Sequence, residues 1–400
     1  MTEQYKKDLE RNIGKYSWFK IFTKRVYLPL IAIQLVSVGR VTIGQLAVIA
    51  GIASLVQLVL QLPTGYLADR WGNRQVIVIG SAIAAVSPLV YALHPTFYGG
   101  IAAAILFFGG LSFYSGAIEA FMHDTLVALN KEDSYVKVMG RAQSYGLIGN
   151  IVLITAIPAT YTINHRLPFF LGFATLAINF FLAISFTYPE RAKPSSTKVN
   201  PFSAFKHVVN RYNIAVFLFA GALFGVTHRG GEYRELLFQN VGINVAYFGA
   251  LLAAGSLLGA IYGFFLHALD RLKTLPFFFL DFTYLAICLT FIGITRNPFI
   301  VAIGFTLFSA YDRVRLILIQ SRLLQQSAVE YKATLLSALS MFSTLGEIIV
   351  VGALAKLILS KNYTKGYFWF GVGTWAIGFV LWIGILFSSK QQVPRHTKSY

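Results

Sequence analysis

Pro63-Thr64-Gly65-Tyr66-Leu67-Ala68-Asp69-Arg70-Trp71-Gly72-Asn73-Arg74 is a short, charged, glycine-bracketed stretch between two apolar runs, Val41 to Leu62 and Gln75 to Leu93. Each run is long enough to cross a hydrocarbon core of ~30 Å at ~1.5 Å per helical residue. The stretch therefore reads as a tight turn joining two antiparallel transmembrane helices. Its charges belong in water or among headgroups. The rest of the chain repeats this pattern of apolar runs and short polar joints.

Of 400 residues, 56% are hydrophobic and 12% charged, with a mean hydropathy of +0.63. A soluble domain carries about twice that charged fraction, so the composition is that of a polytopic membrane protein. Met1 to Lys15 is polar and mixed in charge, so no removable signal peptide is expected. The single cysteine, Cys288, excludes an intrachain disulfide and a thiolate metal site. No metal ligand cluster and no cofactor motif stand out, and the phosphate-loop pattern G-x-x-x-x-G-K-[ST] is absent.

Apolar spans of bilayer length give about twelve helices. The first half holds 15–38, 41–63, 75–93, 97–122, 140–162 and 167–188. The second half holds 212–238, 243–268, 275–295, 298–322, 334–358 and 367–388. Between the halves, 189–211 carries three prolines and five basic residues and reads as a polar linker, with Phe202 to Val209 suited to a short surface helix. This divides the chain into an N-terminal bundle (1–188), a linker and a C-terminal bundle (212–400). Of the 34 Lys and Arg, 21 fall in the termini, the linker and the loops on one side, and 5 in the opposite loops. That bias orients both termini and the linker to the cytosol of a cell membrane. Nucleic acid is not an expected partner of the +18 net charge, because the basic residues form no concentrated groove. The lipid bilayer and a small molecule are, and a monomer is the expected state.

The opening stretch resembles the loop between helices 2 and 3 of the major facilitator superfamily, G-x-L-a-D-R-x-G-r-[RK]. Gly65, Leu67, Asp69, Arg70, Gly72 and Arg74 are in register, and Asn73 replaces a frequent basic residue. Leu269-Asp270-Arg271 echoes Ala68-Asp69-Arg70 some half a chain later, as a duplicated architecture of two six-helix halves requires. Ser115 to Leu126 is similar to the S-G-x-x-E-A-x-x-x-D-x-L segment that ends helix 4 in a set of bacterial facilitators. Lys332 to Ser337 is similar to their R-A-T-x-L-S entry to helix 11, with Lys for Arg. The G-P-x-x-G-G element of many drug/proton antiporters and the family's helix-4 arginine motif are both missing. The resemblance implies an all-α fold of two pseudo-symmetric six-helix bundles that work by alternating access. It also implies that the loop of Gly65, Asp69, Arg70, Gly72 and Arg74 contacts helix 11 when the cytosolic face is closed; the loop is then either a conformational latch, with Asp69 at the start of helix 11, or a topology signal in which only the positive charges matter.

Charges inside spans are the candidate functional residues, because each costs on the order of 2.5–3.5 kcal/mol at the bilayer centre and needs a partner or water. Val26 to Gly39 is too short to cross alone, so the first span recruits Lys15 to Arg25 and carries Lys24 and Arg25 inside. These line a cavity for an anionic group, or Lys20 and Lys24, one turn apart, snorkel to the surface. The tenth span repeats the pattern. Asp312 and Arg315 are spaced to pair, which leaves Arg313 to reach substrate. The seventh span carries His228, Arg229, Glu232, Arg234 and Glu235 around Gly230-Gly231. This is either a broken, gating helix with Arg229 available to substrate, or a self-satisfied cluster in which Glu232 pairs with Arg229 and His228. Glu119, Asp124, Asp281 and Glu347 are the candidate proton-coupling carboxyls, or structural partners of basic residues on other helices.

The expected function is secondary transport of a small solute, proton-coupled and with an anionic substrate. The alternatives are a multidrug exporter of the same fold, to which 35 Phe and 21 Tyr would be suited, and a membrane receptor that binds without moving anything. An enzyme is not expected, since no nucleophile–base pair appears.

Overall fold

The computed structural model describes residues 2–114, 117–131, 134–189, 210–264, 271–325, 332–359 and 362–390. Among these every regular element is helical. In chain order they are α1 (Glu3–Phe22), α2 (Leu28–Val38), α3 (Ile43–Trp71), α4 (Asn73–Leu93), α5 (Phe97–Tyr114), α6 (Ala117–Ala128), α7 (Tyr135–Ala159) and α8 (Leu167–Ser185). They continue with α9 (Arg211–Arg229), α10 (Arg234–Asn240), α11 (Phe248–Phe264), α12 (Thr274–Gly293), α13 (Pro298–Gln325), α14 (Lys332–Ile358) and α15 (Tyr363–Lys390). Helices are the only open-ended way to satisfy every backbone polar group in hydrocarbon.

Nine of the described helices, or ten if α9 and α10 are one bent span, are long and apolar enough to cross a bilayer. The two expected spans that fall short are the first, which is broken, and the tenth, whose apolar part stops at Asp312. The chain forms two compact units, Met1–Ser196 with Asn244–Ala253, and Thr197–Ile243 with Ala254–Tyr400.

In the first unit the opening stretch departs from its expected form. It is not a loop: α3 runs unbroken through Pro63 to Trp71, and the whole reversal is made at Gly72. At 29 residues α3 is about 43 Å long, so its polar end projects beyond the apolar window Ile43–Leu60. Gly72 has φ 101° and ψ 145°, a conformation open to glycine and closed to side chains. Asn73 and Arg74 then start α4, and Arg74 Nη2 donates to the Ile184 carbonyl of α8 at 2.6 Å. Within the unit, α4 and α5 cross so closely that a Cβ on Gly80 would lie 2.6 Å from the Gly110 carbonyl oxygen.

The first span also differs. α1 begins at Glu3 with Thr2 as its cap, and its polar half straps the segment after α8. Tyr5 Oη donates to the Tyr188 carbonyl at 2.8 Å, Lys15 donates to the Ser185 carbonyl, and Asn12 exchanges two hydrogen bonds with Thr187. The helix stops at Phe22. Pro29, which has no N–H to give, lies in the turn that follows the break, Leu28–Leu30, where the Arg25 carbonyl accepts from the Leu28 N–H at 2.9 Å. The chain restarts at Leu28 and widens into a π turn at Gln34–Val38, where the Gly39 N–H donates to the Gln34 carbonyl.

In the second unit α9 and α14 cross at glycines. A Cβ on Gly221 would lie 2.5 Å from the Phe342 carbonyl oxygen, and one on Gly346 would collide with the Gly221 carbonyl oxygen. A Cβ on Gly255 of α11 would lie 3.0 Å from Ser309 Cβ of α13, so these two helices also pack closely. α9 ends at Gly230, and α10 leaves at 43° to it. Tyr367 of α15 donates to the Gly230 carbonyl at 2.8 Å, satisfying one of the acceptors that the break exposes.

Candidate functional site

In the first unit the polar groups gather where α1 breaks. Lys24 is exposed in the turn after α1, and Arg25 is half-buried beside it. Neither lies mid-helix as expected, because the helix ended two residues earlier. With α1 closed at Phe22, Lys20 and Lys24 do not share a helical face. Lys20 instead points to Glu119 of α6, Nζ to Oε1 3.5 Å, and lies over the Tyr16 ring. The Arg25 guanidinium lies over two rings of α5, 4.5 Å from the centre of Phe107 and 4.7 Å from that of Phe108. Asp124 accepts from Asn73 Nδ2 at 3.2 Å, which ties the end of α6 to the start of α4. Outside the spans, Lys131 Nζ donates to Glu10 at 2.8 Å, and that hydrogen bond holds the Glu10 carboxyl below its usual range.

In the second unit the break after α9 carries an ionic cluster. Arg229 Nη1 is 3.1 Å from Glu232 Oε2, and its Nε and Nη2 lie 3.0 and 2.9 Å from Glu347 Oε2 of α14. Of the expected pairs, Arg229–Glu232 is present. His228 is not on Glu232; its Nδ1 is 3.4 Å from Glu347 Oε1, and its ring stacks on Phe224 at 4.0 Å. Asp312 of α13 acts on the same histidine electrostatically. Glu347 is therefore held by two basic groups across a helix–helix gap. Its spacing along α14 gave no sign of either.

The expected Asp312–Arg315 pair is replaced by another. Arg315 reaches Asp281 of α12 with Nε 2.8 Å from Oδ1 and Nη2 2.9 Å from Oδ2, and Tyr311 Oη donates to Oδ1 at 2.7 Å. The two charged side chains are 1% and 0% exposed. A fork on a carboxylate satisfies both ions better than a three-residue step along one helix. The same helix holds Arg322 over Phe277, 3.7 Å from the ring centre, with N–H groups on the Leu318 and Leu272 carbonyls.

Gly65 lies in the helical backbone of α3; the side chains of Asp69, Arg70 and Arg313 lie outside the described residues, as do Asp270, Ser115-Gly116 and the side chains of Lys332 to Ser337. Polar groups that spacing did not single out are Thr23, Gln34, Tyr114 and Asn179. Asn179 Nδ2 donates to Thr23 Oγ1 at 3.3 Å. Gln34, fully buried, donates to the Tyr91 carbonyl and accepts from Tyr161 Oη, both at 3.2 Å. Isolated Asn, Gln or Tyr in an apolar span was the available signal.

The family model of the Major Facilitator Superfamily matches residues 17–350. A lactose permease from Citrobacter freundii is 27% identical over 185 residues, 43% of this chain and 41% of the permease, so the match spans under half of that relative's length. Among solved structures, the nucleoside transporter NupG superposes with a TM-score of 0.78 at 13% identity, covering 94% of this chain and 98% of that one. A bacterial homologue of the human lysosomal transporter Spinster, in an inward-facing and occupied conformation, gives 0.72 at 14% identity, covering 98% of each chain. A peptide transporter, POT, in complex with sulfate gives 0.71 at 12%, covering 95% of each. These three show the fold alone. The family match covers most of the sequence, and the chain belongs to the Major Facilitator Superfamily as a multi-pass secondary transporter of the membrane, not an enzyme.

Proposed function

We propose that this protein moves a small solute with an anionic group across the cell membrane by alternating access, with protons as the coupling ion. The carrying observation is that the first helix of each unit is broken and an arginine stands at each break, Arg25 before α2 and Arg229 before α10. Interrupted helices in corresponding positions of two repeats are where transporters of this kind build their sites. The cargoes named for the relatives, lactose, nucleosides and peptides, support a small polar solute.

The roles divide. Arg229 is neutralised by Glu232 and Glu347, so the substrate anion falls to Arg25. The proton falls to Glu347, whose hold on His228 and Arg229 changes when it is protonated. Asp281 is locked by Arg315 and Tyr311, and Glu119 and Asp124 tie α6 to α1 and α4, so we assign these three to structure. The test is flux in proteoliposomes loaded with a pH dye, challenged with carboxylates, sugars, nucleosides and peptides. One class is expected to carry protons with it, and Glu347→Gln should lose the pH-driven component while keeping solute exchange. Solute flux without proton movement in the unsubstituted protein refutes the coupling.

The bundles are taken as 1–188 and 212–400, with the linker 189–211 and both termini cytosolic and the protein monomeric. Reporter fusions at Lys193 and after Tyr400 should both score cytosolic; a score on the opposite side at either position overturns the orientation. The latch at Asp69 is kept on the resemblance. Asp69→Asn should insert normally, slow transport and expose cytosolic-cavity cysteines to labelling, and unchanged transport and labelling would remove its support.

A further inference from the structure

The ionic cluster at the break after α9 has one open edge, and His228 forms it. Glu347 Oε2 is occupied by Arg229, whose Nε and Nη2 lie 3.0 and 2.9 Å away, while Oε1 faces His228 Nδ1 at 3.4 Å. The two ends of the carboxylate are thus divided between a guanidinium, which keeps its protons, and an imidazole, which exchanges them. Glu347 and Arg229 are 12% and 11% exposed, whereas the His228 side chain is 45% exposed. One face of its ring is covered by Phe224, stacked at 4.0 Å with an interplanar angle of 28°. Among the described residues His228 Nε2 has no hydrogen bond, so this nitrogen stands at the open edge while its twin faces the carboxylate.

The surroundings of that edge are polar. Glu232, 32% exposed, pairs with the other side of Arg229. α13 passes the break with Phe308 against Gly230, and Asp312 lies one turn further along it and acts on the imidazole. The charged and titratable groups around His228 are therefore Glu347 from α14, Asp312 from α13, Arg229, Glu232 and Tyr233 from the break, and Tyr367 of α15, which donates to the Gly230 carbonyl. Partly exposed charges each cost on the order of 2.5–3.5 kcal/mol against lipid, so an opening that gathers several of them is a place for water. The other buried carboxyls have no such neighbour. Asp281 meets Arg315 and Tyr311, and Glu235 meets Arg234, and guanidinium and phenol exchange protons poorly at neutral pH. His123 and Asp124 are 3.9 Å apart, but that carboxyl is itself open to solvent and tied to Asn73.

We propose that His228 is the proton relay between water and Glu347. Nε2 takes a proton from hydronium in the opening, and the Nδ1 proton passes to Glu347 Oε1. The hydronium becomes water, the ring stays neutral with its proton now on Nε2, and Glu347 loses its charge. That charge is also the one held by Arg229, so the same step loosens the tie between α9 and α14. The 3.4 Å contact is longer than a formed hydrogen bond, and contacts of this kind tighten when the proton moves. The relay rests on the reading of Glu347 as the coupling carboxyl, and its test needs no solute. The full chain in phosphatidylcholine nanodiscs receives a photolytic pH jump, and the carbonyl stretch of protonated Glu347, identified by its loss in Glu347→Gln, is followed by time-resolved infrared spectroscopy. His228→Ala should slow the rise of this band about hundredfold or more without changing its final size in acid. Imidazole added to His228→Ala should restore the rate, because the space left beside Phe224 opens to water. His228→Gln fills that space with an amide that carries no transferable proton, and it should stay slow with or without imidazole. In the unsubstituted protein, nitrogen NMR of isotope-labelled histidine should show the neutral His228 ring, assigned by its loss in His228→Gln, protonated on Nδ1 and bare on Nε2. A parental rate in either variant, a slow His228→Ala that imidazole does not restore, or a resting tautomer protonated on Nε2 overturns the relay and leaves Glu347 as the coupling carboxyl. If no band of protonated Glu347 forms at any pH, the coupling role of Glu347 falls and the relay with it.

Discussion

The pair Asp281–Arg315 allows a test of how charge is tolerated in this fold. Both side chains are at most 1% exposed, and three contacts of 2.8 to 3.0 Å join them. Asp281→Asn preserves shape and leaves an acceptor for Tyr311, but strands a guanidinium in a setting without water. Breaking a buried pair in this way costs about 3–5 kcal/mol. At about 1.4 kcal/mol per tenfold, the folding equilibrium should fall by two to three and a half orders of magnitude. Arg315→Met should cost less, because the carboxyl left behind can take a proton and keep its hydrogen bond to Tyr311. The double substitution Asp281→Leu with Arg315→Met removes both ions together and should return to within about 1–2 kcal/mol of the parent. The assay is a double-mutant cycle on denaturant unfolding in detergent, with Asp281→Leu made as the matching single variant and membrane abundance followed alongside. Additive losses in the double variant, or an Asp281→Asn protein of normal stability, would refute the idea that this pair matters as a closed ionic unit.

Two further predictions concern backbone approach. Gly346→Ala places a methyl against the backbone of Gly221 and Ala222, so α9 and α14 must separate; a loss of about 1–3 kcal/mol is expected, read as a lower unfolding midpoint. Gly72→Ala forces an L side chain to φ 101°, ψ 145° and should cost about 1–3 kcal/mol, whereas Asn73→Ala should cost less, since it removes one hydrogen bond to Asp124 and leaves the backbone unchanged. Equal losses for these two variants would show that the reversal after α3 does not depend on glycine.

The sequence by itself determined the class of protein. Hydropathy and charge gave a polytopic membrane chain, and the stretch from Pro63 to Arg74 pointed to the family before any coordinates. These features are local or additive, and they survive without knowledge of packing. Helix continuity was only partly legible. A window average saw a charged joint at Asp69-Arg70, but helical hydrogen bonding runs on to Trp71, because polar residues outside the bilayer remain good helix formers. Conversely, the average saw one span at 15–38, where the helix breaks after Phe22 and restarts at Leu28. Partner choice was the least legible part. Arg315 takes Asp281, and His228 takes Glu347, from helices 34 and 119 positions away in the chain. Spacing along one helix ranks only neighbours three or four residues apart. Which distant carboxylate faces a buried cation is decided by how helices cross, and here glycines such as Gly221, Gly225 and Gly346 set that distance. The same holds for Arg25. Its charge was visible in the sequence, but its aromatic seat on Phe107 and Phe108 came only from the packing of the broken first helix on α5.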